Sequence, residues 1–185
     1  MNEYEALERI KRAADKKLLD LDLSDLELEG VPPSIGKCKY LQSLTISHNR
    51  LTSMPESLGQ LSNLIYLYAH DNQIISIPKS IGQLSNLKHL MLQNNQITSI
   101  PESIGNLSNL QLLYLYENQI TSLPESIGNL SNLQLLYVYT NQITSIPQEL
   151  AEFLSNLQEF RFDTKQIIDP PQPIRELLKR CSEAS

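Results

Sequence analysis

The amino-acid sequence predicts an α/β solenoid. We expect a curved horseshoe with a parallel sheet on its concave face, short 3-10 or irregular arms on its convex face, and a capping helix at each end. Three observations support this prediction: a 23-residue unit repeats along most of the chain, an asparagine recurs at the ninth position of the unit, and the repeat decays towards both ends. Repeats of this length are typical of solenoids.

The repeat is plainest in the middle of the chain. Leu64, Leu87 and Leu110 open successive units of 23 residues, and LKHLMLQNNQITSIPESIGNLSN from Leu87 closely matches LQLLYLYENQITSLPESIGNLSN from Leu110. The frame extends backwards to Leu18 and forwards to Leu157, which makes about seven repeats. A single unit cannot bury its apolar face, and about three are needed for a stable stack, so seven are sufficient.

Each part of the unit predicts a local structure. The LxxLxL segment predicts a short strand whose leucines point inward and whose intervening residues point outward. An asparagine side chain can bond backbone groups with both its carbonyl and its amide, so stacked asparagines should form a buried ladder. The Ile-Pro step at Pro101 ends the extended segment, and we expect Gly105 and Gly128 to permit a tight turn back. The asparagines concerned are Asn49, Asn72, Asn95, Asn118 and Asn141.

The two ends depart from the repeat, and the chain is interpreted as one domain in three parts. These are an N-terminal capping helix, the repeats, and a C-terminal cap with a tail, over residues 1–17, 18–168 and 169–185 of a single domain 1–185. Leu7, Ile10 and Ala14 recur at helical spacing and predict the apolar face of the first helix. Pro173 is expected to open a second short helix that carries Ile174, Leu177 and Leu178. The sixth unit has one extra residue and lacks its glycine, which favours a more helical arm.

Composition excludes several classes of function. The net charge of −6 argues against general affinity for nucleic acid or for an anionic membrane. Cys38 lies in the first repeat and Cys181 in the tail, which indicates reduced thiols and no disulfide. The segment Met1 to Lys17 is charged and has no apolar core of a signal peptide, and no apolar run is long enough for a membrane span. A complete chain would therefore be cytoplasmic, the alternative being an exported effector without a cleavable signal peptide.

The unit LxxLxLxxNxITSIPESIGNLSN resembles the leucine-rich repeat family, in its intracellular Ras-group-like subclass. The resemblance covers about residues 18–168, and the Ile/Leu-Pro-x-x-Ile-Gly step at Pro78, Pro101 and Pro124 is its subclass marker. It implies protein recognition on the concave face, in some relatives of small GTPases or other signalling proteins. The chain itself has no GxxxxGK[ST] phosphate loop, so no GTPase domain is expected.

The outward positions of the predicted strands, the third, fifth and seventh of each unit, hold six of the eight tyrosines. Because neighbouring strands lie about 4.8 Å apart, Tyr68, Met91, Tyr114 and Tyr137 should form a continuous band. A contiguous exposed apolar patch with a charged rim is typical of a protein interface. The predicted partner-binding residues are Tyr66, Tyr68, His70, His89, Met91, Leu112, Tyr114, Tyr116, Leu135, Tyr137, Tyr139 and Arg161.

Other interpretations of the tyrosines stay open. Tyrosine favours strands, and cross-strand aromatic ladders stabilise sheets without any partner. The same band would serve a self-associating structural solenoid that forms a weak homodimer, or a site that stacks on carbohydrate or another small ligand. The leading hypothesis is a protein-binding module in signalling or scaffolding.

Few residues suggest chemistry. His48, His70 and Asp71 fall at the ends of adjacent strands and include two imidazoles and a carboxylate, a set that can hold a metal. A solvated polar edge is the simpler interpretation, since no local ligand spacing supports a metal, and His89 lies too far along its strand to join. We therefore expect no metal, no cofactor and no enzymatic activity.

Overall fold

The solenoid is confirmed by a computed structural model, which describes residues 2–163, 167, 170 and 172–176. Its α-helices include α1 (Asn2–Asp15) and α2 (Ala151–Ser155). Its seven strands are β1 (Asp20–Asp22), β2 (Ser43–Thr45), β3 (Tyr66–Tyr68), β4 (His89–Met91), β5 (Leu112–Tyr114), β6 (Leu135–Tyr137) and β7 (Glu159–Arg161).

The strands form one parallel sheet in the order in which they occur along the chain. The register moves by one unit at each step, so that Leu67 pairs with Leu90 and Leu90 with Leu113. These central leucines are fully buried, because successive side chains of a strand point to opposite faces. The residues on either side of each central leucine therefore form the outer surface of the sheet, called the sheet face below.

The opposite side of each coil is a short 3-10 helix that begins after a proline in each repeat. These helices span Pro33–Lys37, Glu56–Gln60, Lys79–Gln83, Glu102–Asn106, Glu125–Asn129 and Gln148–Leu150. In the sixth coil the arm continues directly into α2, which confirms the more helical arm predicted from its extra residue.

The asparagine ladder is confirmed. The Nδ2 of Asn95 donates to the carbonyls of Ala69 at 3.0 Å and Leu92 at 3.1 Å, and its Oδ1 accepts from the backbone N–H of Ile74 at 2.9 Å. Each such side chain therefore bonds the turns of two successive coils. Because these backbone groups are buried, they would otherwise lack partners.

Sequence reasoning missed a second asparagine column, on the side of the coils opposite the sheet face. The Nδ2 of Asn86 donates to the carbonyl of Ser62, and that of Asn109 to the carbonyl of Ser85, both at 2.8 Å. Asn63 and Asn132 make the equivalent bonds. The sequence feature that could have predicted this column is the Ser-Asn pair before the opening leucine of most repeats.

The role predicted for the glycines was wrong. None of the six glycines has a positive φ, so Gly105 and Gly128 are not needed for a left-handed turn. They lie in the 3-10 helices, where neighbouring coils approach closely. A Cβ on Gly105 would lie only 2.5 Å from the backbone oxygen of Ser126. Close contact between coils, rather than backbone conformation, therefore excludes a side chain at Gly105.

Six of the eight left-handed residues among those described lie just before the ladder position of a coil, and the other two are Lys17 and Glu27. The φ angles at this eighth position lie between 53° and 56°, a region that residues other than glycine rarely occupy. The residues concerned are Asp25, His48, Asp71, Asn94, Glu117 and Thr140. Their side chains project from the turn that ends each strand.

Helix α1 covers the first coil, and its apolar face differs by one position from the prediction. The buried residues are Ala6, Ile10 and Ala13, whereas Leu7 is 42% exposed. The helix contacts the first coil through these three residues, and the small side chains of the two alanines allow it to pack closely. The helix ends at Asp15 rather than at residue 17.

The C-terminal cap is described only in part. Residues 172–176 are helical, and Ile174 is fully buried, as predicted. Leu177, Leu178 and Cys181 lie outside the described residues. Cys38 is buried, its Sγ lies 3.4 Å from the carbonyl oxygen of Ile10, and burial raises the pKa of its thiol.

Candidate functional site

The sheet register brings the predicted band together. Tyr68 pairs with Met91, Met91 with Tyr114, and Tyr114 with Tyr137. These four residues, called the tyrosine band below, run across β3 to β6 and are all partly exposed. Strand spacing therefore produces the continuous column that the sequence predicted.

Two further columns flank the tyrosine band. On one side the register pairs His89 with Leu112 and Leu112 with Leu135. On the other side Tyr116 lies next to Tyr139. All these side chains are partly exposed, so apolar surface extends to both sides of the band.

The rings are stacked. The centroids of Tyr114 and Tyr137 lie 4.7 Å apart with planes inclined by 9°, and those of Tyr116 and Tyr139 lie 4.7 Å apart at 5°. This distance equals the usual separation of paired strands, so the sheet itself sets the stack. Burial is the main reason that the pKa values of Tyr116, Tyr137 and Tyr139 are raised. The phenols are therefore neutral at physiological pH.

The N-terminal part of the surface is packed differently. Tyr66 and Tyr68 belong to one strand, and their ring centroids lie 6.4 Å apart. The ring of His89 meets Tyr66 edge-on at 4.9 Å, and the pKa of His89 is lowered by burial and by Lys88. His89 therefore contributes a neutral ring to the aromatic surface.

A polar contact closes the C-terminal end of the band. The hydroxyl of Tyr137 donates to Oε2 of Glu159 at 2.5 Å, and the guanidinium of Arg161 lies 5.1 Å from the centre of the Tyr137 ring. Arg161 also donates through Nε to Oε1 of Glu159. The structure thus places Arg161 on the sheet face, as predicted, but bonded to its own chain.

Carboxylates surround the aromatic surface. The carboxyl of Asp22 accepts hydrogen bonds from the hydroxyl and the backbone N–H of Ser24. These bonds lower its pKa, so Asp22 is charged at neutral pH. The acidic residues on the strands and on the turns at their ends are Asp20, Asp22, Asp25, Asp71, Glu117, Glu159 and Asp163. The rim of the aromatic surface is thus mainly acidic.

The two histidines and the aspartate considered as metal ligands are brought together. One ligand atom from each of His48, His70 and Asp71 lies within 4.8 Å of the other two. His89 is not in this group and packs against Tyr66 instead, as its distance along the strand predicted.

An acidic cleft among the 3-10 helices and α2 was not predicted. It has a volume of about 740 Å³ and is lined by Glu102, Glu125, Ser126, Gly128, Asn129, Glu149, Leu150, Glu152, Phe153 and Asn156. It forms where α2 replaces the regular arm. The extra residue of the sixth unit is the sequence feature that could have predicted this cleft, because the insertion changes the path of that arm.

No helix in the described ranges has the length and the apolar character that crossing a membrane requires.

Two family models match the chain. Residues 76–179 match one described as a leucine-rich repeat region, and residues 16–74 match one described as a leucine rich repeat. Together they extend over most of the predicted repeats. No curated protein matches the chain.

Solved structures with the same fold include a leucine-rich repeat protein of Leptospira interrogans. It is 33% identical with a TM-score of 0.71, over 92% of this chain and 49% of that one. The plant peptide hormone receptor RGFR1 in complex with RGF2 is 31% identical with a TM-score of 0.63, over 76% of this chain and 22% of the receptor.

A third similar structure is the ectodomain of the receptor kinase GASSHO1/SCHENGEN3 from Arabidopsis thaliana, in complex with CASPARIAN STRIP INTEGRITY FACTOR 2. It is 29% identical with a TM-score of 0.66, over 80% of this chain and 21% of the receptor. This chain thus corresponds to about half of the leptospiral chain and about a fifth of the plant receptors.

Proposed function

Because this chain belongs to the leucine-rich repeat family, we propose that it binds a partner protein through its sheet face, with the tyrosine band at the centre of the contact. Proteins of this family and fold are typically non-enzymatic interaction modules. The plant receptors above were solved in complexes with RGF2 and CASPARIAN STRIP INTEGRITY FACTOR 2, which supports a macromolecular ligand for this chain too.

The observation that carries the proposal is a continuous, partly exposed surface of aromatic and aliphatic side chains across four adjacent strands. Tyr114 and Tyr116 stack on Tyr137 and Tyr139. The rings are held by their neighbours before any partner arrives, so binding loses little side-chain entropy. Tyrosine is enriched among the residues that dominate binding energy.

The charges on this surface indicate the chemistry of the partner. The rim is mainly acidic, and the guanidinium of Arg161 at its C-terminal end is bonded to Glu159. A partner with an apolar centre and a basic rim would complement it, since opposite charges steer association and exclude wrong partners. Lysine or arginine side chains of such a partner would also be attracted to the tyrosine rings. We place this binding in signalling or scaffolding.

The test compares two double variants of the full chain in affinity capture from the native cell extract. Tyr114→Ala/Tyr137→Ala removes the centre of the band, and Tyr4→Ala/Tyr40→Ala removes two tyrosines that are 70% and 47% exposed away from it. We expect the control to retain the partner and the band variant to lose it. The captured protein is then purified and titrated against each variant at two salt concentrations.

A Kd that rises at least 100-fold in the band variant, and that also rises with salt, supports the proposal. Equal affinity of the two double variants would refute it. Concentration-dependent dimers of the wild type in light scattering that are lost in the band variant would favour self-association instead. Loss of stacking lowers stability by about 0.5–1.5 kcal/mol beyond the lost burial of the two rings, so the band variant must be shown to remain folded at the temperature of the capture experiment.

A further inference from the structure

We infer that His48, His70 and Asp71 form a binding site for one divalent transition-metal ion. From sequence spacing alone, a solvated polar edge was the preferred interpretation of these residues. The structure favours a metal site, because the fold brings two imidazoles and a carboxylate from adjacent coils to one point.

Backbone geometry places the three ligands. His48 and Asp71 occupy the left-handed eighth position of consecutive coils, with φ of 54° and 55°. The backbone N–H of His48 donates to the carbonyl of His70 at 3.1 Å, which ties the two turns together. The two imidazole rings meet edge-on with centroids 5.1 Å apart. Both rings therefore border the same small volume at the end of the strands.

The carboxylate is directed at both rings. Oδ2 of Asp71 lies 2.6 Å from Nδ1 of His70 and 3.7 Å from Nδ1 of His48. Its other oxygen, Oδ1, accepts a hydrogen bond from Nδ2 of Asn94 in the next coil. Outer partners of this kind orient the ligands of metal sites. Asn94 thus acts as a positioning residue that keeps Oδ2 directed at the two imidazoles.

The distances fit a metal after a small movement. Ligands about 2.1 Å from a tetrahedral zinc ion are about 3.4 Å apart, whereas the ligand atoms here lie within 4.8 Å of one another. His48 can move towards the other two ligands, because its side chain is 52% exposed, whereas that of His70 is only 22% exposed. Nδ1 of His70 and Oδ2 of Asp71 are hydrogen-bonded at 2.6 Å, so binding the ion would move them apart and replace that hydrogen bond.

The ligand types select the class of metal. Imidazole nitrogen suits zinc, copper, iron and nickel, whereas calcium and magnesium prefer oxygen ligands. Two nitrogens and one oxygen therefore indicate a divalent transition metal. Three protein ligands leave at least one coordination position for water or for a group from outside the chain.

Zinc chloride is the probe for the test, with the untagged full chain and isothermal titration calorimetry near neutral pH. Cys181→Ser is present in every protein, so that the thiol of the tail does not compete. We expect one ion per chain, and at least tenfold weaker binding in His48→Ala, in His70→Ala and in Asp71→Asn.

The matched control is His89→Ala, which removes an imidazole of the same face outside the cluster and should bind within twofold of the parent. Asn94→Gly keeps the left-handed turn and should weaken binding about 10- to 100-fold.

Two outcomes would overturn the inference. One is the absence of binding at about 0.1 mM zinc. The other is affinity that survives all three ligand substitutions. Long-range nitrogen NMR of the unsubstituted histidines gives an answer even if a variant misfolds. Zinc must shift the ring nitrogens of His48 and His70 and leave those of His89 unchanged, and any other pattern refutes the site.

Discussion

Tyr137 donates its phenolic hydrogen bond to Oε2 of Glu159, across the last strand pair and at 2.5 Å. The register pairs Tyr137 with Arg161 and Leu135 with Glu159, so the bond runs diagonally between β6 and β7. It connects the aromatic surface to its charged rim. The same contact changes the titration of both partners, which gives two predictions.

The carboxyl of Glu159 has a lowered pKa, first because Tyr137 donates to it and second because Arg161 does. Tyr137→Phe should therefore raise the pKa of Glu159, as measured by carboxyl carbon NMR, whereas Tyr139→Phe should leave it unchanged. A depressed pKa adds stability above the unfolded value near 4.5, and that stability is lost as the pH falls through the folded pKa. Wild-type stability should thus fall more than that of Tyr137→Phe in this acidic range.

At high pH stability depends on pH in the opposite direction, because the pKa of Tyr137 is raised rather than lowered. Burial and the bond to Glu159 raise the pKa of Tyr137 from 10.0 to about 12. A raised pKa of an acid adds stability below the unfolded value, and this stability is lost as the pH rises from about 10 to about 12. Ultraviolet titration should show a late tyrosinate transition that is smaller by one tyrosine in Tyr137→Phe, and the contribution of Tyr137 should move to lower pH in Glu159→Gln. An unchanged late transition in Tyr137→Phe would contradict the assignment.

Gly105 is predicted to be irreplaceable for steric reasons. A Cβ there would lie 2.5 Å from the backbone oxygen of Ser126, whereas one on Gly30 would meet nothing within 4 Å. Gly105→Ala should lower the free energy of unfolding by about 1–3 kcal/mol. Gly30→Ala should leave it unchanged or raise it by about 0.4–1 kcal/mol. Urea unfolding of both variants measures the difference, and equal effects would show that close packing is not the reason.

Asn118 is predicted to stabilise the chain more than Asn109. Buried Asn118 donates to the carbonyls of Leu92 at 3.0 Å and Leu115 at 3.1 Å, and it accepts from the N–H of Ile97 at 2.9 Å. Exposed Asn109 donates only to Ser85, at 2.8 Å. Each buried group left without a partner costs about 1–3 kcal/mol, so Asn118→Ala should unfold at much lower urea than Asn109→Ala. Similar midpoints would argue against the ladder.

Thr140 is β-branched and has a φ of 53°. This conformation costs an L-residue roughly 1–2 kcal/mol. Thr140→Gly should therefore be neutral or raise the melting temperature, since glycine occupies the region freely. Thr98 is also exposed but has no positive φ, and Thr98→Gly should lower the melting temperature. A lower melting temperature in both variants would mean that the turn at Thr140 is not strained.

The predictions that failed concern contacts between coils. The repeat showed that a glycine recurs at the position of Gly105. Only the position of the next coil showed why, since a side chain there would clash with the backbone of Ser126. The face of α1 was off by one residue because its spacing fits either Leu7 or Ala6, and the surface beneath the helix makes the choice.

The sequence by itself determined the solenoid, the register of its strands and the position of the tyrosine band. A unit of constant length carries equivalent positions into adjacent places, so one strand spacing converts a sequence column into a spatial one. Only the tertiary structure decided how side chains within and between columns meet, including the bond from Tyr137 to Glu159 and the approach of Asp71 to both imidazoles. These contacts depend on side-chain rotamers and on left-handed turns, which a repeat length does not specify.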